Sequence, residues 1–231
     1  MFDLKKIVLT FVFLTLLTTF YGLNASFENP ALDEFSGQDS MTQEEAKKEP
    51  YVISVYDQIM RRVSDEEGND WRLMSAIAYH ESRFTANVIS TRGARGLMQI
   101  MPSVARQFDV SQEKVLDPET NVRLANQLLN KIAVSLRLPS EISYENRMSL
   151  VLASYNSGIG HVLDARSLAR TYGEDPNSWE VVSRYLELKS QPDYYENDVV
   201  KCGRFTGFKQ TRAFVDDVMS RYDKYCQFAR K

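Results

Sequence analysis

An all-α domain is expected over residues 51–231, and three observations predict it. Apolar residues recur at spacings of three and four through successive segments. No segment alternates apolar and polar residues cleanly. Helix start and stop signals flank the periodic stretches.

The first segment, YVISVYDQIMRRV, sets Val52, Val55, Tyr56, Ile59 and Val63 on one stripe. WRLMSAIAYHESRF follows with Met74, Ile77, Ala78 and Phe84. DPETNVRLANQLLNKIAVSL opens with Asp117 as N-cap and Pro118 at the first helical position, where its missing N–H costs nothing. Its stripe is Val122, Ala125, Leu128, Leu129 and Ile132. ENRMSLVLASYNSG is a helix stopped by Asn156 and Gly158. GHVLDARSLARTYG and DPNSWEVVSRYLELK read as helices, and PDYYENDVVKCGRFTGF as an irregular wall. The last helix, QTRAFVDDVMSRYDKYCQF, aligns Phe214, Val218, Met219 and Tyr222.

The 231 residues are 43% hydrophobic and 26% charged, which suits one globular domain with appendages. The net charge is -3 with no basic block, so a nucleic-acid partner is not expected. Residues 1–25 place Lys5 and Lys6 ahead of an apolar run over residues 7–21 and small residues near Ala25. That is the layout of a secretory signal peptide, and the run is short for a spanning helix. Cleavage is therefore expected, and membrane association only if the segment is retained. Residues 26–50 are polar and read as a flexible tether. In an oxidising compartment the two cysteines, Cys202 and Cys226, are expected to pair.

One carboxylate stands out. With about 100° per helical residue, Ile77, Ala78 and Glu81 fall within about 60° of Met74, so Glu81 shares the apolar stripe. Burial disfavours the charged form and raises the pKa, which lets a glutamate act as general acid near neutral pH. The alternative is a structural ion pair with Arg83, Arg92 or Arg95. Glu81 is the only acid in residues 71–108. An ordinary retaining glycosidase needs a second carboxylate about 5 Å away, and no local one exists. In residues 90–102, Gly93 and Gly96 permit a tight turn, and Gln99 brings a donor and an acceptor into an apolar run. Taken alone, these features read as core plus a loop glycine. Tyr155 can likewise be a core aromatic with a satisfied hydroxyl.

Read together, ES at residues 81–82, GLMQIMP at 96–102 and ASYNSG at 153–158 resemble the soluble lytic transglycosylase (SLT) domain, a relative of goose-type lysozyme. The resemblance covers about residues 55–225. It implies a lysozyme-like helical fold and an enzyme that cleaves the MurNAc-GlcNAc β-1,4 bond of peptidoglycan without water, leaving 1,6-anhydro ends. It implies Glu81 as sole acid and base, with no metal or cofactor. It further implies substrate contacts from Ser90, Gln99, Met101 and Tyr155, with Asn156 supporting. Where the family usually closes with a Glu-Thr pair, this chain has Gln210 and Thr211, so the contact there loses its charge. A monomer acting on glycan strands in the periplasm or envelope of a bacterium is expected. The competing readings are a hydrolase on the same fold, with Asp109, Asp117 or Glu145 as second acid, and a non-catalytic wall-binding protein.

Overall fold

The computed structural model describes residues 51–229, and the expected leader and tether lie outside them. The helices are α1 (Asp57–Glu67), α2 (Trp71–Ser82), α3 (Pro102–Gln107), α4 (Pro118–Leu136), α5 (Tyr144–Ser157), α6 (Ile159–Thr171), α7 (Trp179–Leu188), the single turn α8 (Pro192–Tyr195) and α9 (Phe208–Phe228). A 3-10 turn, Lys114–Leu116, leads into α4. Among the described residues the extended pairing is limited to isolated bridges, Ile89 with Arg95 and Arg95 with Ile100. No described helix is long and apolar enough to cross a membrane.

The caps expected from sequence form. Asp117 accepts from the Thr120 amide at 2.9 Å with Pro118 behind it. Asp70 and Ser143 cap α2 and α5 in the same way. Gly158 ends α5 at φ 89°, a conformation that favours glycine. α2 packs between α1 and α9, α5 packs on α4, α6 and α9, and α6 packs on α7. Met60, Met74, Ile77, Leu97, Met98, Leu150, Leu152 and Phe214 fill the shared core with no exposed surface.

Two expectations are corrected. α1 begins at Asp57, and Val52 and Val55 are 68% and 90% exposed. The Asp57 carboxylate accepts from the Ile53 and Ser54 amides at 2.8 and 2.9 Å, which folds the entry segment into a local turn in place of a helix. The Cys202–Cys226 bond is not formed; both thiols are free and exposed. Cys202 sits in the loop before α9. Its amide donates to Asp164 and its sulfur lies against Gly160. Cys226 lies in the last turns of α9, beside Tyr222 and Arg72. Different neighbours hold the two thiols, and those contacts decide their place.

Candidate active site

Glu81 occupies the last turn of α2. The residues one and two turns before it, Met74, Ile77 and Ala78, are fully buried, so its helical face points into the protein, as its position on the stripe predicts. Burial alone raises its pKa from 4.5 to about 7. Among the described residues it has no hydrogen bond and no ion pair. The arginines proposed as structural partners are engaged elsewhere or exposed, and none pairs with Glu81. Arg83 lies over the Tyr79 ring at 4.2 Å, Arg95 donates to the Gln112 carbonyl at 3.4 Å, and Arg92 is exposed. With no cation to hold the charged form, desolvation sets the proton affinity.

Tyr155, in the last turn of α5, faces this carboxylate. Its hydroxyl donates to the Met98 carbonyl at 2.8 Å, and its ring stacks on Phe214 at 6.3 Å. Burial and then the charge of Glu81 push the phenol well above its ordinary pKa. It therefore stays neutral. His80, next to Glu81 in sequence, sets its ring edge against Phe214 at 4.9 Å and hydrogen-bonds Asp217 through Nδ1 at 2.8 Å. Phe214 thus ties α2, α5 and α9 together behind the acid.

The loop between α2 and α3 carries the next group. Ser90 is the hinge of a turn: its Oγ accepts from the Ala94 amide at 3.0 Å and its carbonyl from the Gly93 amide at 2.9 Å. Gln99 takes φ 48°, and its side-chain Nε2 donates to the Gly96 and Val88 carbonyls at 3.0 and 3.3 Å. Its donor therefore closes the loop, leaving the amide oxygen as the polar group for a ligand. Met101 is 39% exposed at the start of α3. Asn156 is exposed, and its Oδ1 accepts from the buried Thr211 hydroxyl at 2.9 Å. Gln210 is exposed in the first turn of α9, one residue from that bond.

Sequence reasoning missed Asn121. It is fully buried in the first turns of α4, accepts from the Met98 amide at 2.7 Å, and donates to the Arg95 and Val115 carbonyls at 2.9 and 2.8 Å. Gly96 makes room for it: a Cβ there would lie 2.5 Å from Asn121 Nδ2. The signal was an Asn one turn before Ala125 and two before Leu128, on the edge of an apolar stripe, where a polar residue needs partners. The second acids considered for a hydrolase lie at helix starts or on the surface. Asp117 caps α4, Asp109 is exposed, and Glu145 begins α5, about 15 Å along the helix from Tyr155. Among the described residues no group of three His, Cys, Asp or Glu side chains could hold a metal.

Fold and site together define an all-α domain built around one isolated, desolvated carboxylic acid. The transglycosylase SLT domain model matches residues 58–178, and the chain belongs to that family. A membrane-bound lytic murein transglycosylase F from Alcanivorax borkumensis is 33% identical over 171 residues, 74% of this chain and 35% of that protein. One from Shewanella pealeana is 37% identical over 157 residues, 68% of this chain and 31% of that protein. The chain thus spans about a third of the length of these curated relatives. The X-ray structure of an inactive mutant of the lytic transglycosylase Slt from Pseudomonas aeruginosa superposes with TM-score 0.50 at 21% identity, covering 76% of this chain and 25% of that one. At that identity the likeness concerns the fold, the lysozyme-like helical arrangement that the three motifs imply.

Proposed function

We propose that this chain is a peptidoglycan lytic transglycosylase that cleaves the MurNAc-GlcNAc β-1,4 bond and leaves a 1,6-anhydroMurNAc end. The observation that carries the reading is Glu81, with a pKa raised to about 7 by burial and no cation beside it. Near neutral pH such a carboxyl holds a proton it can give up. Neutral Glu81 protonates the glycosidic oxygen as the C1–O bond breaks, and GlcNAc leaves as an alcohol. The oxocarbenium-like C1 is stabilised by the substrate's own N-acetyl oxygen. The Glu81 carboxylate then accepts the proton of the MurNAc 6-hydroxyl as that oxygen bonds to C1. The proton count closes without water, and the acid returns to its starting state.

Tyr155 stays neutral beside the acid and fixes the Met98 backbone through its hydroxyl. Ser90, Gln99, Met101, Asn156 and Gln210 supply substrate contacts. The peptidoglycan strand is the partner, and the chain works as a monomer in the bacterial envelope, delivered there by residues 1–25 and spaced by residues 26–50. The capping role of Asp117 and the place of Glu145, about 15 Å along α5 from Tyr155, favour this single-acid route over a two-carboxylate hydrolase.

The test is a digest of purified peptidoglycan by the protein and by its Glu81→Gln variant, read by mass spectrometry. Products one water lighter than hydrolytic fragments and resistant to borohydride, absent with the variant, are expected. Reducible ends would replace the transglycosylase by a hydrolase. Binding without products from either protein would leave a wall-binding role.

A further inference from the structure

The net charge of the chain is -3, yet residues 199–215 contain no acid and four bases: Lys201, Arg204, Lys209 and Arg212. All four are exposed. Lys201 gives its Nζ to the Asp198 carbonyl at 2.7 Å, and Arg212 stands a loose 3.8 Å from Asp216. Arg204 and Lys209 have no hydrogen bond or ion pair among the described residues. Two solvated cations with no internal partner are available to an anionic ligand.

The backbone that presents them is clamped from inside. The Asp164 carboxylate accepts from the Lys201 and Cys202 amides, both at 2.8 Å. Lys189, with no exposed surface, neutralises it at 2.7 Å and also reaches His161 Nδ1 at 3.1 Å. The Phe205 amide donates to the Lys189 carbonyl at 3.1 Å, and the Phe205 ring lies on His161 at 4.6 Å. The Cys202 sulfur occupies the space that a side chain at Gly160 would fill. A buried charged pair of this kind fixes geometry more than it adds stability. The clamped segment abuts the first turn of α6, directly after Asn156 and Gly158. It runs into Thr211, whose hydroxyl holds Asn156. The segment that carries the cations is therefore tied to the Asn156 end of α5, next to Tyr155 in the chain.

Resting on the transglycosylase reading, we propose that residues 201–212 form a subsite for the carboxylates of the peptide stems on the glycan, with Arg204 and Lys209 as the contacts. The chemistry favours this occupant. A sugar hydroxyl offers no charge to a guanidinium, whereas a stem peptide carries several carboxylates beside each MurNAc. A glycan stripped of its stems keeps one lactyl carboxylate per MurNAc, and a chitin oligomer keeps none. Affinity should follow that order, and the differences should shrink with added salt as exposed charges are screened.

The test measures binding in the full chain carrying Glu81→Gln, with and without Arg204→Gln and Lys209→Gln. The probes are glycan strands with tetrapeptide stems, the same strands stripped by an amidase, and a chitin oligomer. Both changes are at exposed, unpartnered positions and leave the core intact. Loss of two exposed ion pairs should weaken binding of stemmed strands by about three- to tenfold. Stripped strands should lose less than about twofold, and the oligomer should be unaffected. A control that removes two other exposed charges, Arg106→Gln with Arg170→Gln, should leave all three unchanged. Equal losses on stemmed and stripped strands, or no loss on either, would overturn the subsite. This readout needs no turnover. A wild-type protein that yields no anhydro ends while the stemmed strands still bind through Arg204 and Lys209 would sink the enzymatic reading and leave the subsite standing.

Discussion

The Tyr155 hydroxyl donates to the Met98 carbonyl at 2.8 Å. This bond joins the end of α5 to the Gly-Leu-Met-Gln loop, 57 residues earlier, and turns two separate sequence motifs into one wall around Glu81. Tyr155→Phe keeps the stacking on Phe214 and leaves the Met98 carbonyl without its partner. A cost of about 1–2 kcal/mol is expected, seen as a melting temperature lower by roughly 2–8 °C. An unchanged melt would mean that water replaces the phenol freely.

The proton affinity of Glu81 gives a stability signature independent of activity. The folded pKa, about 7, lies above the ordinary 4.5. Below pH 4.5 the folded and unfolded chains both hold the proton, and the buried acid carries no charge penalty. As pH rises to 7 the unfolded chain ionises first, and folding stability falls across that window. Above pH 7 the penalty is complete. Glu81→Gln removes it, so the variant should be more stable than wild type at pH 8 by about 1–3 kcal/mol and of similar stability near pH 4. Thermal melts at the two pH values decide this. A gain of equal size at both would rule out desolvation as its cause. Under the proposed mechanism, turnover should also fall as pH rises through about 7, where the acid is lost.

Gly96 and Asn121 form a tight pair in which one residue exists to admit the other. Gly96→Ala brings a Cβ to 2.5 Å from Asn121 Nδ2 at a backbone φ of 77°. Both strain and displacement of the Asn121 hub follow, and a loss of about 3 kcal/mol or more is expected by chemical denaturation. Asn121→Ala should cost a similar amount by orphaning the Met98 amide and two carbonyls. The double variant should cost less than the sum of the two single changes, because both act on the same contact.

Asp164→Ala leaves the ammonium of Lys189 buried without its carboxylate, at a cost of about 3–5 kcal/mol and a melting temperature lower by roughly 10 °C. Adding Lys189→Met should restore part of that loss. A single variant that melts like wild type would show that the pair is dispensable to the loop before α9.

Two free, exposed thiols make a direct count possible. Titration of the native protein with a thiol reagent should find two reactive groups, and Cys202→Ser with Cys226→Ser should melt as wild type does, with or without reductant. A reductant-sensitive melt would restore the bond expected from sequence.

Much of the architecture could be read from one chain of letters. Stripes at Met74, Ile77 and Ala78, and at Val122, Ala125 and Leu129, are local patterns that the helical period turns directly into buried faces. Caps at Asp117 and Gly158 involve neighbours a few residues away and were equally legible. So was the placement of Glu81 on an apolar face. The entry at Val52 and Val55 was misread because a single side chain, Asp57, captured backbone donors that periodicity assigns to a helix.

What tertiary structure alone decided are the contacts between distant segments. No rule of sequence spacing pairs Tyr155 with Met98, Thr211 with Asn156, or Asn121 with the Gly96 loop. None tells that Cys202 packs on Gly160 and that Arg83 turns to Tyr79 and leaves Glu81 without a cation. The sequence by itself determined most of the helical faces and the place of Glu81 on one of them, because those follow from local period and hydrophobicity. The proton affinity of that acid depends on every group folded around it, and only the packed chain sets that environment.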